Sequence, residues 1–344
     1  MSAIVRVGTC SWADETLTKV WYPPGVRSGE ARLRHYADRF DTVEANSTYY
    51  RLPDAKLVGN WAERTPAGFT MHVKAFGLMT RHPVKVDVIP EDLRDEMPVD
   101  ERGRVDRPSR ELRGEIFRRF ARALEPLRST SKLGGILLQF PPYVVHKPAS
   151  LEYIEWAQEQ LPGDELLVEF RHRSWLDDEN RAATLAFLES RGLTYVIVDA
   201  PKTEARNLVP TVIARTSPTA YVRFHGRNAS TWNKRTGSAA ERFDHLYSRE
   251  ELSEWVEPLR ELTADAESVF AMFNNNGRSS TPPDLDELLG GIDPAEVAGD
   301  LGKGYVAQAP ANALMLRGLL DEAGVSASGG QLGPGRVPGP ASRA

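Results

Sequence analysis

Hydrophobic and polar positions along the chain follow two alternating rhythms. Short runs rich in valine, isoleucine and phenylalanine, bounded by glycine, proline, asparagine or aspartate, predict strands at 4–10, 42–47, 69–75, 135–140, 166–171, 194–199, 220–225 and 268–273. Between them apolar residues recur at helical spacing over 30–40, 55–64, 115–128, 150–160, 179–191 and 250–262, with 312–323 after the last strand. In 115–128, Ile116, Phe117, Phe120, Ala121, Leu124 and Leu127 share one face and arginines take the other. The weakest member is 207–216, where Pro210 predicts a short or broken helix.

Eight strands alternating with helices imply a parallel sheet with crossover helices. The strand count and lengths predict an α/β fold of the (β/α)8 TIM-barrel type. Thr9-Cys10-Ser11-Trp12 follows the first strand where a dinucleotide-binding sheet would carry a glycine-rich turn, so that fold has no support. Two segments interrupt the rhythm. Residues 80–113 are dense in mixed charge and proline and follow strand three, which places them near the C-terminal face. Residues 276–308 form a second long connection with a small helix expected at 284–289. The barrel is expected to be a single domain over 1–325. Residues 326–344, rich in glycine, proline and serine, are expected to be disordered.

Composition changes this picture little. Hydrophobic residues at 41% allow a core of ordinary size, and a formal charge of −5 gives no overall footprint for nucleic acid or an anionic membrane. The single cysteine, Cys10, excludes an internal disulfide and fits a reducing compartment. The first residues turn polar too soon for a signal peptide, and no apolar run approaches the roughly 20 residues that span a bilayer. The expectation is a cytoplasmic protein without membrane contact.

Strand parity is more informative, because residues two apart share a face. Glu44 and Asn46 oppose Val43 and Ala45. Thr70, His72 and Lys74 oppose Met71, Val73 and Ala75. Glu169 and Arg171 share a face, as do Arg223 and His225, while Gln139 and Asp199 end their strands. The apolar faces suit packing against outer helices, so the polar faces point inward. Barrel centres are ordinarily filled by branched apolar side chains, and buried ion pairs are a poor source of stability. A self-satisfied network fixing strand register would explain these residues, but their position at the strand ends favours a functional site.

The motifs VGTCSWADETLTKVWYPPG, FDTVEANSTYYRLP, GFTMHVKA, LLQFPP, VEFRHRSW, VRFHGRN, FNNN and APANA, running in order from about residue 4 to about residue 320, resemble the YecE-like family, domain of unknown function 72. The resemblance implies a TIM-type barrel and supplies no reaction. Glu44, Asn46, Ser47, Tyr49, Lys74, Gln139, Glu169, Arg171, His172, Trp175, Arg223, His225, Gly226 and Asn274 match motif positions. Asn276 stands where the family pattern carries an acid, and the stretch from there to Pro310 is unusually long.

Three functions fit. The favoured one is an acid–base enzyme for a polar or anionic small molecule, sugar-like or phosphate-like. Glu44, Glu169, Asp199 and His225 would be its catalytic groups. Ser11, Trp12, Asn46, Tyr49, Lys74, Gln139, Arg171, His172, Trp175, Arg223, Arg227, Asn274 and Asn275 would bind substrate, with arginine forks and the lysine charge holding an anion. On this reading Glu169→Gln abolishes turnover without unfolding the protein, and no cofactor or metal is assigned. The second is a divalent-metal barrel of the isomerase or endonuclease type, with Glu169, Asp199 and His225 as ligands; the neighbouring arginines oppose it. The third is a binding module for nucleic acid or protein, resting on Arg171–Arg173 and Arg227–Arg235 with Trp175 and Trp232. The net acidity disfavours it.

Overall fold

The chain folds by pairing each β-rich run with the next. A computed structural model describes residues 2–232, 242–282 and 304–329, with Leu285, Leu289, Ile292, Asp293, Glu296 and Val297. All eight expected strands form: β1 (Val5–Thr9), β2 (Thr42–Ala45), β3 (Thr70–Lys74), β4 (Leu133–Gln139), β5 (Leu166–Glu169), β6 (Thr194–Asp199), β7 (Thr219–Phe224) and β8 (Ser268–Phe273). Each lies parallel to its sequence neighbour, and pairing of β1 with β8 closes a (β/α)8 barrel. The strands end slightly earlier than the hydrophobic rhythm suggests. Asn46, Arg171 and His225 therefore fall just beyond β2, β5 and β7, at the C-terminal mouth where barrels place their chemistry.

The surrounding helices start where side chains can satisfy their free amides. Ser28, Asp54 and Ser109 cap the helices Gly29–Ala37, Ala55–Glu63 and Arg110–Ala123, and Ser248 with Glu251 forms a capping box. Two expected helices are each split. The first breaks at Leu124 into Arg110–Ala123 and Glu125–Ser129, and the second becomes Arg249–Ser253 and Val256–Asp265. Pro126 and Pro258 explain both breaks, since proline is accommodated in a first turn and not in an interior.

One crossover differs from the sequence expectation. No helix forms over 207–216. This segment is held by hydroxyl groups instead: Thr211 Oγ1 donates to the Val198 carbonyl at 2.9 Å, and Thr216 Oγ1 donates to that of Leu193 at 2.6 Å. A second difference is at the barrel floor. β1 pairs with β8 at five positions but with β2 only at Thr9↔Val43. Ala327 and Ser328 occupy the remaining edge, paired in parallel with Val5 and Arg6, where a disordered tail is expected from 326. Residues 330–344 lie outside the described residues, as does most of the expected helix at 284–289. The long connection after β8 is tied by an antiparallel pair, Arg278–Ser280 with Tyr305–Ala307. Among the described residues no helix is long and apolar enough to cross a membrane.

The lower interior of the barrel is packed by rings. His72 stands edge-on to Phe270 and Tyr221, with centroids 4.4 and 4.7 Å away. Gly134 leaves it room, since a Cβ there would come within 2.8 Å of His72 Nε2. Neither imidazole nitrogen has a hydrogen-bond partner, and burial followed by the charge of Arg6 lowers its pKa to about 3. An unfolded histidine titrates near 6.5, so the unfolded chain binds a proton that folded His72 refuses between pH 6.5 and 3. Stability held above pH 6.5 is therefore lost as pH falls through that window. Replacing His72 by Leu is expected to make the fall in unfolding free energy between pH 6 and 4 shallower by about 1.4 kcal/mol per pH unit. Urea melts across that range measure it; an unchanged slope would show that folded His72 takes up its proton normally.

Candidate functional site

The upper interior is ionic. Arg223 on β7 is buried and reaches in two directions. Its Nη2 donates to Glu44 Oε1 on β2 at 2.6 Å, and its Nη1 donates to Glu169 Oε2 on β5. Tyr221, two residues before Arg223 and on the same face, donates its hydroxyl to Glu44 Oε2 at 2.9 Å. Glu169 Oε1 is shared by three further groups: Arg171 Nε at 2.5 Å, Gln139 Nε2 at 2.9 Å and His225 Nε2 at 3.1 Å. Burial alone would raise the Glu169 carboxyl, but the charges of Arg171 and Arg223 and the neighbouring His225 hold it well below the carboxylate range.

Amides fix the orientation of the remaining groups. Asn46 Nδ2 points toward Asn274 Oδ1 at 3.4 Å, which turns Asn274 Nδ2 to His225 Nδ1 at 2.9 Å. Nδ1 is then the acceptor and Nε2 carries the proton directed at Glu169. His225 is neutral, its pKa lowered to about 3 by burial and then by Arg171. Gln139, with its nitrogen committed to Glu169, presents Oε1 to Lys74 Nζ at 2.8 Å, and Lys74 lies over the Tyr49 ring at 4.5 Å from the centroid. Two carboxylates already balance two guanidiniums, so a Lys74 ammonium adds uncompensated charge. Burial first, and then Arg223, push Lys74 down to about 7.

Above this network opens a cavity of about 340 Å3. Lys74, Asn46 and Asn274 reach it from the ionic core; Ser11, Trp12, Ser47, Tyr50, Phe243 and Asn276 form other walls. Cys10 also lines it, with its thiol pushed up by burial and the Glu44 charge. Glu44 and Glu169 are fully buried beneath it.

The sequence-derived residues therefore separate into groups. Glu44, Asn46, Lys74, Gln139, Glu169, Arg171, Arg223, His225 and Asn274 form one connected set, with Tyr49 over Lys74, and Ser11 and Trp12 join the cavity wall. Asp199 is not with them. It pairs with Phe224 on the opposite face of the sheet, where it accepts from Arg227, from Tyr247 Oη at 2.7 Å and from Trp255 Nε1 at 2.8 Å. Arg227 is consumed there. Trp175 is fully buried, stacked on Phe170 at 4.1 Å and bonded to the Val144 carbonyl. His172 accepts from the Ser174 amide at the start of a short turn, and Asn275 joins the His245 carbonyl to Asn312. The metal set Glu169, Asp199 and His225 does not converge, and among the described residues no three acidic, histidine or cysteine side chains are placed to hold an ion. Arg235 lies outside the described residues. Sequence reasoning missed Tyr221, which parity with Arg223 could have found, and Phe243, which a loop brings in and no periodicity marks.

The comparisons with known proteins agree with this architecture. Residues 6–298 match the family described as protein of unknown function DUF72. The chain is 30% identical over 290 residues to the UPF0759 protein YunF of Bacillus subtilis, which covers 83% of this chain and 94% of that one. The crystal structure of a DUF72 family protein from Thermotoga maritima is similar with a TM-score of 0.66 and 30% identity, over 92% of this chain and 99% of that one. Another from Enterococcus faecalis gives 0.69 at 22% identity over 97% and 100%, a likeness of fold alone.

The network makes Glu169 a structural ion as much as a chemical one. Glu169→Gln leaves Arg171 and Arg223 buried without their shared counter-charge, and the unfolding free energy is expected to fall by about 3–5 kcal/mol. Glu254→Gln, which loosens an exposed bridge to Arg227, is expected to cost less than about 1 kcal/mol. Chemical denaturation of the two variants tests the contrast. Equal small losses would mean that the buried ions are not a coupled unit.

Proposed function

The chain belongs to the DUF72 family, and from the geometry of its barrel mouth we propose that it is an enzyme performing acid–base chemistry on a polar, polyhydroxylated small molecule. The observation that carries this reading is a lysine with a pKa of about 7 on the wall of a cavity that is also lined by amides, hydroxyls and aromatic rings, with Asp14 and Glu15 as its acidic residues. A base is most effective when its pKa lies near the working pH. Lys74 meets that condition. Glu169, held ionised by two arginines, does not, and neither buried carboxylate faces the cavity.

In this proposal Lys74 Nζ, as the free amine, takes a proton from a substrate hydroxyl or an activated carbon. Its own N–H continues to donate to Gln139 Oε1, so the amine keeps its orientation as its charge changes. The ammonium formed then lies beside the developing negative charge on the substrate and can return the proton to another atom. Asn46, Asn274, Asn276, Ser11 and Ser47 offer donors and acceptors suited to ring hydroxyls, and Trp12 a flat apolar surface. The Asn46 and Asn276 side-chain oxygens are buried without a partner, as acceptors awaiting a ligand donor would be. Glu44, Glu169, Arg171, Arg223 and His225 act as positioning residues: they set the lysine's pKa and hold Gln139 and Asn274 in place.

The reading is tested without knowing the substrate. Competitive acylation of the folded protein with trace acetic anhydride, followed by peptide mass spectrometry, should show Lys74 reacting with a titration midpoint near 7 while surface lysines follow about 10.4. Metabolites released from the purified protein should include a polyhydroxylated compound lost from Lys74→Met. Any turnover identified from that compound should rise as pH increases through 7 and fall by roughly 100-fold or more in Lys74→Arg, which cannot deprotonate. A Lys74 midpoint at the surface value would remove it from the role of base.

A further inference from the structure

A larger cavity, about 770 Å3, lies beside the barrel mouth between the 80–113 insertion and the segment after β4. Arg81, Arg104, Arg107, Arg110, Arg113 and Lys147 line it, against only Asp106 and Glu152 as acids. A wall with this excess of positive charge is unexpected on a chain whose formal charge is −5. Internal pairing does not neutralise it. Arg104 is bound to Asp100, and Arg107 meets Asp106 at 3.8 Å with both side chains exposed. Arg81, Arg110, Arg113 and Lys147 form no ion pair among the described residues, and Arg113 Nε is buried without a hydrogen-bond partner.

Three of these cations are braced by aromatic rings. Arg81 and Arg113 pack on the buried ring of Tyr153, at 5.2 and 5.3 Å from its centroid, and Arg110 lies over Trp156 at 5.7 Å. The Tyr153 hydroxyl is tied to the Met79 carbonyl, and that of Tyr143 to the Arg81 carbonyl. Backbone geometry adds a second sign. Among the described residues three non-glycine positions have positive φ, and two are arginines of this wall: Arg81 at 66° and Arg107 at 48°. A glycine would adopt those angles freely, yet the chain carries arginine there. Converging guanidiniums on fixed aromatic supports recognise phosphate oxygens in bidentate fashion.

We propose that this cavity is a second ligand site, separate from the barrel mouth, that binds a small anion carrying two or more phosphate groups. Its volume of about 770 Å3 suits one such molecule. The site does not depend on the acid–base reading at Lys74. The two are neighbours, however: His82 lines the cavity and stands edge-on to Tyr49 at 5.1 Å, and Tyr49 covers Lys74.

Calorimetric titration of the full chain with sodium triphosphate and with ATP at low salt tests the site. Saturable one-to-one binding that weakens as salt rises is expected for triphosphate. In the double variant Arg110→Ser with Lys147→Ser, both exposed positions outside the barrel-mouth network, affinity should fall roughly tenfold or more. ATP binding at least as tightly as triphosphate would identify a nucleotide as a source of the phosphates; triphosphate binding alone would identify an inorganic or non-nucleotide one. No saturable binding of either, or binding untouched by the double variant, overturns the site. Retention of a single-stranded oligonucleotide far more tightly than of triphosphate overturns its assignment to a small ligand.

Discussion

A guanidinium enclosed in protein must find acceptors for its protons, and Arg223 finds them on carboxylates from β2 and β5, strands on either side of its own. The resulting Glu44–Arg223–Glu169 bridge spans the barrel interior. It sets the inward face of three strands at once, because a shift of one residue in any of them would turn a charge outward and leave its partner buried alone. Five polar groups of the mouth are then oriented from that bridge. Gln139, Arg171 and His225 take their places by sharing Glu169 Oε1, and Lys74 and Asn274 take theirs from Gln139 and His225.

The network divides the work between charge and proton. Groups at its centre are locked: the carboxylate of Glu169 by arginines, the neutral imidazole of His225 by burial. Titration near neutrality is pushed to the edge, where Lys74 meets the cavity with no counter-charge left for it. Side chains with familiar catalytic identities thus serve as a fixed field, while the residue the sequence suggests as an anion holder has the more adjustable proton.

Much of the barrel was legible in the sequence, because parallel strands buried on both faces leave dense apolar runs bounded by turn residues, and eight of them admit few closures. Parity also separated the inward side chains of β2, β3, β5 and β7 correctly, since one face of each is polar. It could not decide β6. In Thr-Tyr-Val-Ile-Val-Asp neither face is polar, and Asp199 turned out to lie on the helix side with Tyr247 and Trp255. Trp175 and His172 follow β5 closely in sequence, yet a short turn directs one into the core and closes the other on its own backbone. The basic cavity was hidden for another reason. Its cations come from three separated segments, and the longest of them carries acids among its arginines, so no run of like charge marks it.

The weak pairing between β1 and β2 has a consequence for how the barrel breathes. A single register pair joins those strands, with Ala327 and Ser328 wedged below it, whereas β1 is fastened to β8 along its whole length. The smaller cavity sits directly above this seam, with Cys10, Ser11 and Trp12 on one bank and Asn46 and Ser47 on the other. A molecule held by both banks would act as a staple across the least protected joint of the wall. Occupancy would then be recorded in slower amide hydrogen exchange along β1 and β2, far more than in any change of shape.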